Sequence, residues 1–339
     1  MEVSYQFYTF ADLKKNVFDG LKDDEGVLSS GLGLYKDALL SNPYVINDKE
    51  YAMCLAIADG TVVGRHMLFP TLLKADETVI PIQTGGGIIL DEKCRGLRIG
   101  TTLIQKACSN DSHDLYFGAL YTRAAYNIIK KTDPMLEIPQ FVKERFHGFK
   151  KVLELPLIWR LYHLKKRFAV KKHTKVPDWA GEMATNDSHK YYEVHDSKWL
   201  QWVLDKTATG NPSDRQSFYA IYDKKDSPIG FFMTKVRTIT NETDSFVKGN
   251  VVEWATNNSS VLNEADINIL SLGTFDSSVS RVWTISENMT TEKLLKRYSF
   301  KRRGWFAMSI KDKKDQFKDI GDVSKWRIRY GCCNTTLVE

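Results

Sequence analysis

The sequence predicts an α/β (α+β) protein in which two similar units stand in tandem, each a mixed, mostly antiparallel sheet flanked by helices. The first observation behind this is an internal echo. "NPYVINDKEYAMCLAIADGTVVGRHMLF" and "NPSDRQSFYAIYDKKDSPIGFFMTKV" align Ala56 with Ala220, Ile57 with Ile221, Asp59 with Asp223 and Gly64 with Gly230, with a gap of two residues in the turn. Each reads as a β-hairpin, because short apolar runs flank a polar turn bearing glycine or proline. The second observation is an amphipathic helical stretch ahead of each hairpin, "LGLYKDALL" and "SKWLQWVLD". The third is a matching far end. "PQFVKERFHGFKKVLELPLIW" and "TTEKLLKRYSFKRRGWFAMSI" both read as helix, stop and strand.

Taken in order, the first unit runs from the helix at Leu32–Leu40 through strands on either side of Asp59-Gly60 to a long strand, "TVIPIQTGGGIIL". A basic turn follows, then the helix "GTTLIQKA" and the strand "DLYFGALYT". A helix opening at Pro139, where proline suits a first turn, stops near Gly148, and a strand starts at Phe149. The second unit repeats this with the strand "NVVEWA", the segment "TNNSSVLNEADINIL", a helix from Thr290, a stop at Ser299 and a strand from Phe300. The expected organisation is a first domain over 1–162, a basic linker over 163–178 and a second domain over 179–339. Residues 160–175 hold seven Lys or Arg. They are read as a solvated connector, with a membrane-surface or RNA-facing role left open because Trp159, Tyr162 and Phe168 accompany the charge.

Bulk properties narrow the function. A chain of 339 residues with 42% apolar and 12% aromatic residues can bury a core in each of two domains. Its 48 basic and 42 acidic residues leave a net charge of +6, a mild bias toward anionic ligands and far from the excess of a dedicated DNA binder. "MEVSYQFYTFADLKK" lacks the cationic start and apolar core of a signal peptide. No apolar run nears the roughly 18 residues that a membrane span needs. The five cysteines, 54, 94, 108, 332 and 333, are odd in number and lack metal-type spacing, which suits a reducing cytoplasm. The seven histidines show no metal-ligand spacing either, so no metal is expected.

The informative segment is "ILDEKCRGLRIGTTLIQKA", residues 89–107. A helix N-terminus presents unpaired backbone N–H groups and the positive end of its dipole. Glycine lets that backbone approach an anion closely, and successive N–H groups in a turn form an anion-binding nest. Together these make a phosphate site that suits a pyrophosphate, with Lys93, Arg95 and Arg98 adding charge. A Walker Gly-Lys-Ser/Thr ending is absent, and "GGG" sits inside a strand, unlike a dinucleotide fingerprint.

The segment resembles motif A of the GNAT acyltransferases, an apolar strand followed by Arg/Gln-x-x-Gly-x-Gly/Ala and a helix. The likeness spans roughly residues 30–160 and reaches the second unit through the echo. Tandem chains of this layout are similar to surface-polysaccharide acyltransferases and, more distantly, to Fem-type aminoacyltransferases. The resemblance implies that Arg95, Gly96, Leu97, Arg98, Ile99, Gly100 and Thr101 bind the pyrophosphate of coenzyme A. It also implies that Ile88, Ile89 and Leu90 present strand backbone to an acyl-CoA thioester, with acetyl-CoA the expected cofactor. Arg98 stands where the motif has its central glycine. The second unit has no arginine-glycine loop and is expected to bind no coenzyme A.

Acyl transfer needs a neutral amine, stabilisation of the oxyanion and a proton for the leaving thiolate. The family's general acid is a tyrosine before a Gly-Phe pair, a slot held here by Glu144. Tyr121 and Tyr126 are the substitutes, and Glu92, beside Asp91, is a candidate base. His66 and Glu253 lie on strands from which either could face a groove between the units. The expected function is acetyl transfer to a small amine such as an amino sugar or sugar nucleotide. The alternatives are a Fem-like enzyme using tRNA, and a degenerate pair acting as a binding module.

Overall fold

The computed structural model describes residues 2–18, 20–119, 126–127, 129–131, 133–145, 154–206, 214–240 and 245–334. The strands are β1 (Val3–Thr9), β2 (Tyr51–Ala58), β3 (Thr61–Ala75), β4 (Thr78–Leu90), β5 (Leu115–Ala119), β6 (Met135–Glu144), β7 (Ala169–His173), β8 (Tyr191–Glu193), β9 (Arg215–Tyr222), β10 (Pro228–Thr240), β11 (Ser245–Thr256), β12 (Val279–Ile285), β13 (Lys301–Asp312) and β14 (Trp326–Arg327). The helices are α1 (Phe10–Lys15), α2 (Val27–Leu40), α3 (Ile99–Cys108), α4 (Leu155–Arg167), α5 (Asp178–Thr185), α6 (Ser197–Asp205), α7 (Glu264–Leu272) and α8 (Met289–Arg297).

Both expected hairpins form. Between β2 and β3, Asp59 (φ 49°) and Gly60 (φ 80°) both carry the positive φ that a tight two-residue turn demands. The β9–β10 turn is longer, and the Asp223 carboxylate accepts from the amides of Lys225 and Ser227 at 2.8 and 2.9 Å.

All the strands join one sheet, in the order β1-β2-β3-β4-β5-β13-β6-β12-β11-β10-β9-β7, with β8 and β14 beside it. Among the described residues, pairing is antiparallel except at β4–β5, β11–β12 and β8–β14. The pairs β4–β5 and β11–β12 stand at the same point in the two units. Past that point the units exchange strands. β13, from the second half, pairs with β5 of the first, while β6, from the first half, pairs with β12 of the second. β6 and β13 meet at the centre.

The exchange corrects the reading of Pro139–Glu144 as a helix. This segment is the second half of β6, with Leu136, Ile138, Phe141 and Val142 buried. Proline cannot donate to a ladder, and Pro139 is accommodated where the β6–β13 register slips between Arg302 and Trp305. The stop at Gly148 and the strand at Phe149 lie outside the described residues. Residues 163–178, expected as linker, are the end of α4 and the edge strand β7 paired with β9.

Alternation along the strands builds the layers. In β2, Met53, Leu55 and Ile57 face a core with α1, α2, α5 and α6, while Cys54 and Ala56 face α3. In β10, Phe231 and Met233 join the first core, and Phe232 joins a second one with α4 and α7. The first core crosses both units, so they fold around shared apolar residues.

Candidate functional site

The site begins where β4 and β5 part. Among the described residues the two strands pair at Gln83–Tyr116, Thr84–Phe117 and Gly85–Gly118, and β4 continues to Leu90 beyond the last of these pairs. An unpaired strand edge presents N–H and C=O groups to whatever enters the gap. A bulge sharpens the feature. β3 and β4 pair at Arg65–Ile89 and Met67–Gly86, so His66 alone opposes Gly87 and Ile88. Gly87 has φ 58°, and a Cβ there would lie 2.7 Å from the Tyr35 ring, so only glycine fits. Ile88 and Ile89 are exposed and Leu90 is half-buried.

The loop after β4 is a 3₁₀ turn over Glu92–Cys94, then Arg95, Gly96, Leu97 and Arg98, and the first residue of α3 is Ile99. Arg95, Gly96, Leu97 and Arg98 are exposed; Gly100 and Thr101 are half-buried. Ile99 turns its side chain into the core under α3, so only its backbone can serve a ligand. Gly96 (φ 86°) has open space where a Cβ would stand, and a Cβ on Gly100 would meet only Leu90, at 3.6 Å. Arg98 is the N-cap of α3 in the left-handed conformation (φ 63°) and makes no capping bond from its side chain. That conformation explains why glycine suits the position. Arg98 holds it at a cost of about 1–2 kcal/mol.

The uncapped start of a ten-residue helix, the open glycines and the exposed arginines fit a pyrophosphate. Arg95 is shared with Glu92 at 2.8 Å, and Lys93 pairs with Glu25.

The second unit has the same frame and the opposite chemistry. β11 outruns β12 after Asn250–Trp283, and its ladder with β10 slips at Val252. Here the chain itself enters the gap, as the Gly331 amide donates to the Val252 carbonyl at 2.9 Å. The helix start that corresponds to α3 is α7. Asn263 caps it by accepting from the Asp266 amide at 2.9 Å, and Glu264 and Asp266 occupy the first turn. Burial and the neighbouring Glu287 push the Glu264 carboxyl up to about 7. A helix start already capped by Asn263 and lined by carboxyl groups differs from the open, arginine-flanked start of α3.

Of the expected catalytic residues, Tyr121 lies outside the described residues. The Tyr126 hydroxyl donates to Glu137 on β6, which raises its pKa. Glu92, held to Arg95 by an ion pair, is exposed on the loop. Glu144, read as a helical position, ends β6 and faces Lys301 and Arg303 at 3.6 and 3.9 Å.

His66 and Glu253 do not face a groove. His66 is buried, its Nε2 2.7 Å from the Tyr116 hydroxyl, and both groups crowd the position of a Cβ on Gly85. Burial lowers its pKa to about 4, so the ring is neutral near pH 7. Tyr116 and His66 thus form a buried hydrogen-bonded pair at the point where β4 and β5 part. Sequence reasoning missed Tyr116, whose only signal was its place inside the apolar strand.

Glu253 is buried against His195 and accepts from the Trp254 amide at 2.9 Å. The His195 ring stacks 3.6 Å from Trp199. Glu193, His195 and Cys332 offer donor atoms within 4.8 Å of one another and could together hold a metal ion. The Glu193 carboxylate already accepts from the Thr71 hydroxyl at 2.9 Å and the Cys333 amide at 2.6 Å. The cluster therefore staples the C-terminal segment to β3 and β8.

No known family profile matches the sequence, and no curated protein does. Solved structures do. Saccharomyces cerevisiae N-myristoyltransferase with bound myristoyl-CoA and inhibitors superposes with a TM-score of 0.57 at 12% identity, over 91% of this chain and 80% of that one. A conserved Enterococcus faecalis protein of unknown function, described as a probable N-acyltransferase, gives 0.53 at 10% identity, over 92% and 73%. The fold is thus the mixed α/β arrangement of these two neighbours, a large, mostly antiparallel sheet flanked by helices. At these identities the likeness is one of fold.

Proposed function

We propose that the protein is an acyl-CoA-dependent N-acyltransferase whose first unit, residues 1–162, binds the coenzyme, while the second, 179–339, binds none and completes the sheet. The observation that supports this is the asymmetry between two equivalent gaps. The first has an open bulge and an uncapped, arginine-flanked helix start. The second is filled by Gly331 and starts its helix with Glu264 and Asp266.

In this reading, amides of Arg98–Thr101 and the guanidinium of Arg98 receive the pyrophosphate, and Gly86–Leu90 aligns the pantetheine arm along the free edge of β4. The thioester supplies an activated acyl group. The bulge holds the carbonyl against backbone N–H groups. The acceptor amine loses a proton, and the departing thiolate gains one. Tyr126 hydrogen-bonded to Glu137, the Tyr116–His66 pair and Tyr121 are the candidate proton carriers. Glu92 is a poor base, because its carboxylate is exposed on the loop and engaged in an ion pair with Arg95. Acetyl-CoA and a small amine such as an amino sugar form the working substrate pair, and the intact loop favours this over a tRNA-dependent reaction.

The test needs no knowledge of the acceptor. At one hundred times Kd, a ligand specific for the folded state stabilises it by about 2.7 kcal/mol. For a cooperative unit of this length that raises Tm by about 4 °C. Coenzyme A and acetyl-CoA should both produce the shift, and myristoyl-CoA tests chain length. Gly100→Glu should abolish it while leaving the free protein's melt near wild type, because a Cβ there makes only an ordinary contact with Leu90. A flat response to every acyl-CoA overturns the reading.

A further inference from the structure

α4 has two apolar faces and only one of them is covered. Leu157 and Leu164 are buried, and Leu161 packs beside them over α7, reaching toward Gly273. On the opposite side Leu155, Ile158, Trp159 and Tyr162 follow the i, i+3, i+4, i+7 spacing of one helical stripe, and they are 56%, 52%, 66% and 49% exposed. The Trp159 ring lies 6.1 Å from that of Tyr162 and 4.7 Å from that of His163, and the Lys166 ammonium sits 4.4 Å from the Tyr162 centroid. These contacts hold the aromatic rings together in solvent.

The charge around the stripe has one sign. No Asp or Glu occurs between Glu154 and Asp178, while the interval holds seven Lys or Arg. Arg160 is committed to Asp266 and Lys171 to Asp226. Among the described residues, Lys165, Lys166, Arg167, Lys172 and Lys175 have no acidic partner. Lys171 and Lys172 lie on β7, an edge strand of the sheet, which follows directly from the helix.

We propose that this face, α4 with β7, docks the protein on an anionic lipid surface. A soluble helix has no reason to leave four large apolar side chains in a row facing water. Tryptophan and tyrosine beside lysine and arginine are the residues that settle at the boundary between headgroups and acyl chains. Each basic residue near an anionic leaflet multiplies partitioning several-fold. The charge also argues against other occupants. A second copy meeting this face by a twofold axis would set the basic cluster against itself. A nucleic acid would leave Leu155 and Ile158 without stacking or charge to meet.

The test is co-sedimentation of the full chain with vesicles of phosphatidylcholine alone and of phosphatidylcholine mixed with phosphatidylglycerol. Binding is expected only to the mixed vesicles, and high salt should weaken it. A double variant, Ile158→Glu with Trp159→Glu, should reduce the bound fraction by about tenfold or more, as should Lys165→Glu with Lys166→Glu. Both pairs are solvent-facing, so the melting temperature and any coenzyme-induced shift should stay at wild-type values. A failed coenzyme shift with intact vesicle binding would count against the enzymatic reading alone. Absence of sedimentation, or equal binding to both vesicles, overturns the membrane proposal. So does a wild-type dimer that Trp159→Glu converts to monomer, or tRNA binding that only the lysine variant loses.

Discussion

Arg98 carries two opposed effects at one position. Its left-handed backbone is strained, and in the proposed site its guanidinium meets a phosphate. Arg98→Gly relieves the strain and should raise the free protein's stability by about 1 kcal/mol. It also removes a charge-assisted contact, so acyl-CoA affinity should fall by about 1.5–3 kcal/mol. Arg98→Ala should lose the same affinity with no gain in stability. Calorimetric titration of both variants, with a urea melt of each, separates the two effects. His66 makes the residue-scale case for pH. Its folded pKa of about 4 lies below the ordinary value near 6.5 because burial disfavours the charged ring. Between these values the unfolded chain binds a proton that the folded one does not, so stability falls as pH drops from about 6.5 to 4. The full loss is about 3 kcal/mol for this group. Urea midpoints for wild type should decline through that window, and His66→Gln should flatten that part of the decline.

Among the elements, the C-terminal segment packs most tightly over the second gap at Gly331. A Cβ on Gly331 would lie 2.7 Å from the buried ring of Trp199, which has nowhere to move. Gly331→Ala should therefore lower stability by roughly 1–3 kcal/mol, read from urea midpoints. Coenzyme should still bind with a stoichiometry of one, because the opened gap lacks a phosphate-binding turn. A second site in wild-type protein would contradict the asymmetry. What was legible at this scale was local. The hairpins, the long strand and α3 follow from periodicity and turn residues that lie next to one another in the chain. Pro139 misled because a proline at a helix start and one at a strand irregularity look alike until the partner strand is known. β7 looked like linker because an edge strand is free to be rich in lysine. The loop Arg95–Thr101 was legible as a glycine-bearing basic turn that opens a helix. The Tyr116–His66 pair was not, because those side chains are 50 residues apart and meet only across the sheet.

At the scale of the molecule, the strand exchange makes the two halves one folding unit, although the repeat suggests two. Residues 1–162 alone would leave β5 without β13, and β6 without either of its neighbours. That fragment should show no cooperative melt, and co-expression with residues 163–339 should restore it along with coenzyme binding. The intact chain should give one calorimetric transition. Two well-separated transitions, or a stable isolated first half, would show that the exchanged strands are dispensable. Pairing partners so distant in sequence leave no trace in local composition, which is why the repeat was visible and the exchange was not.

The same exchange sets a schedule for the chain at the ribosome. Ala119 closes β5 long before Lys301 opens the strand that covers it. At ordinary elongation rates of 5–20 residues per second, that interval lasts on the order of ten to forty seconds. Throughout it the nascent first half presents the bare edge of β5 and an unclosed apolar layer. Its maturation is therefore timed by the arrival of β13, and termination before Lys301 strands an adhesive sheet edge where a finished domain was due.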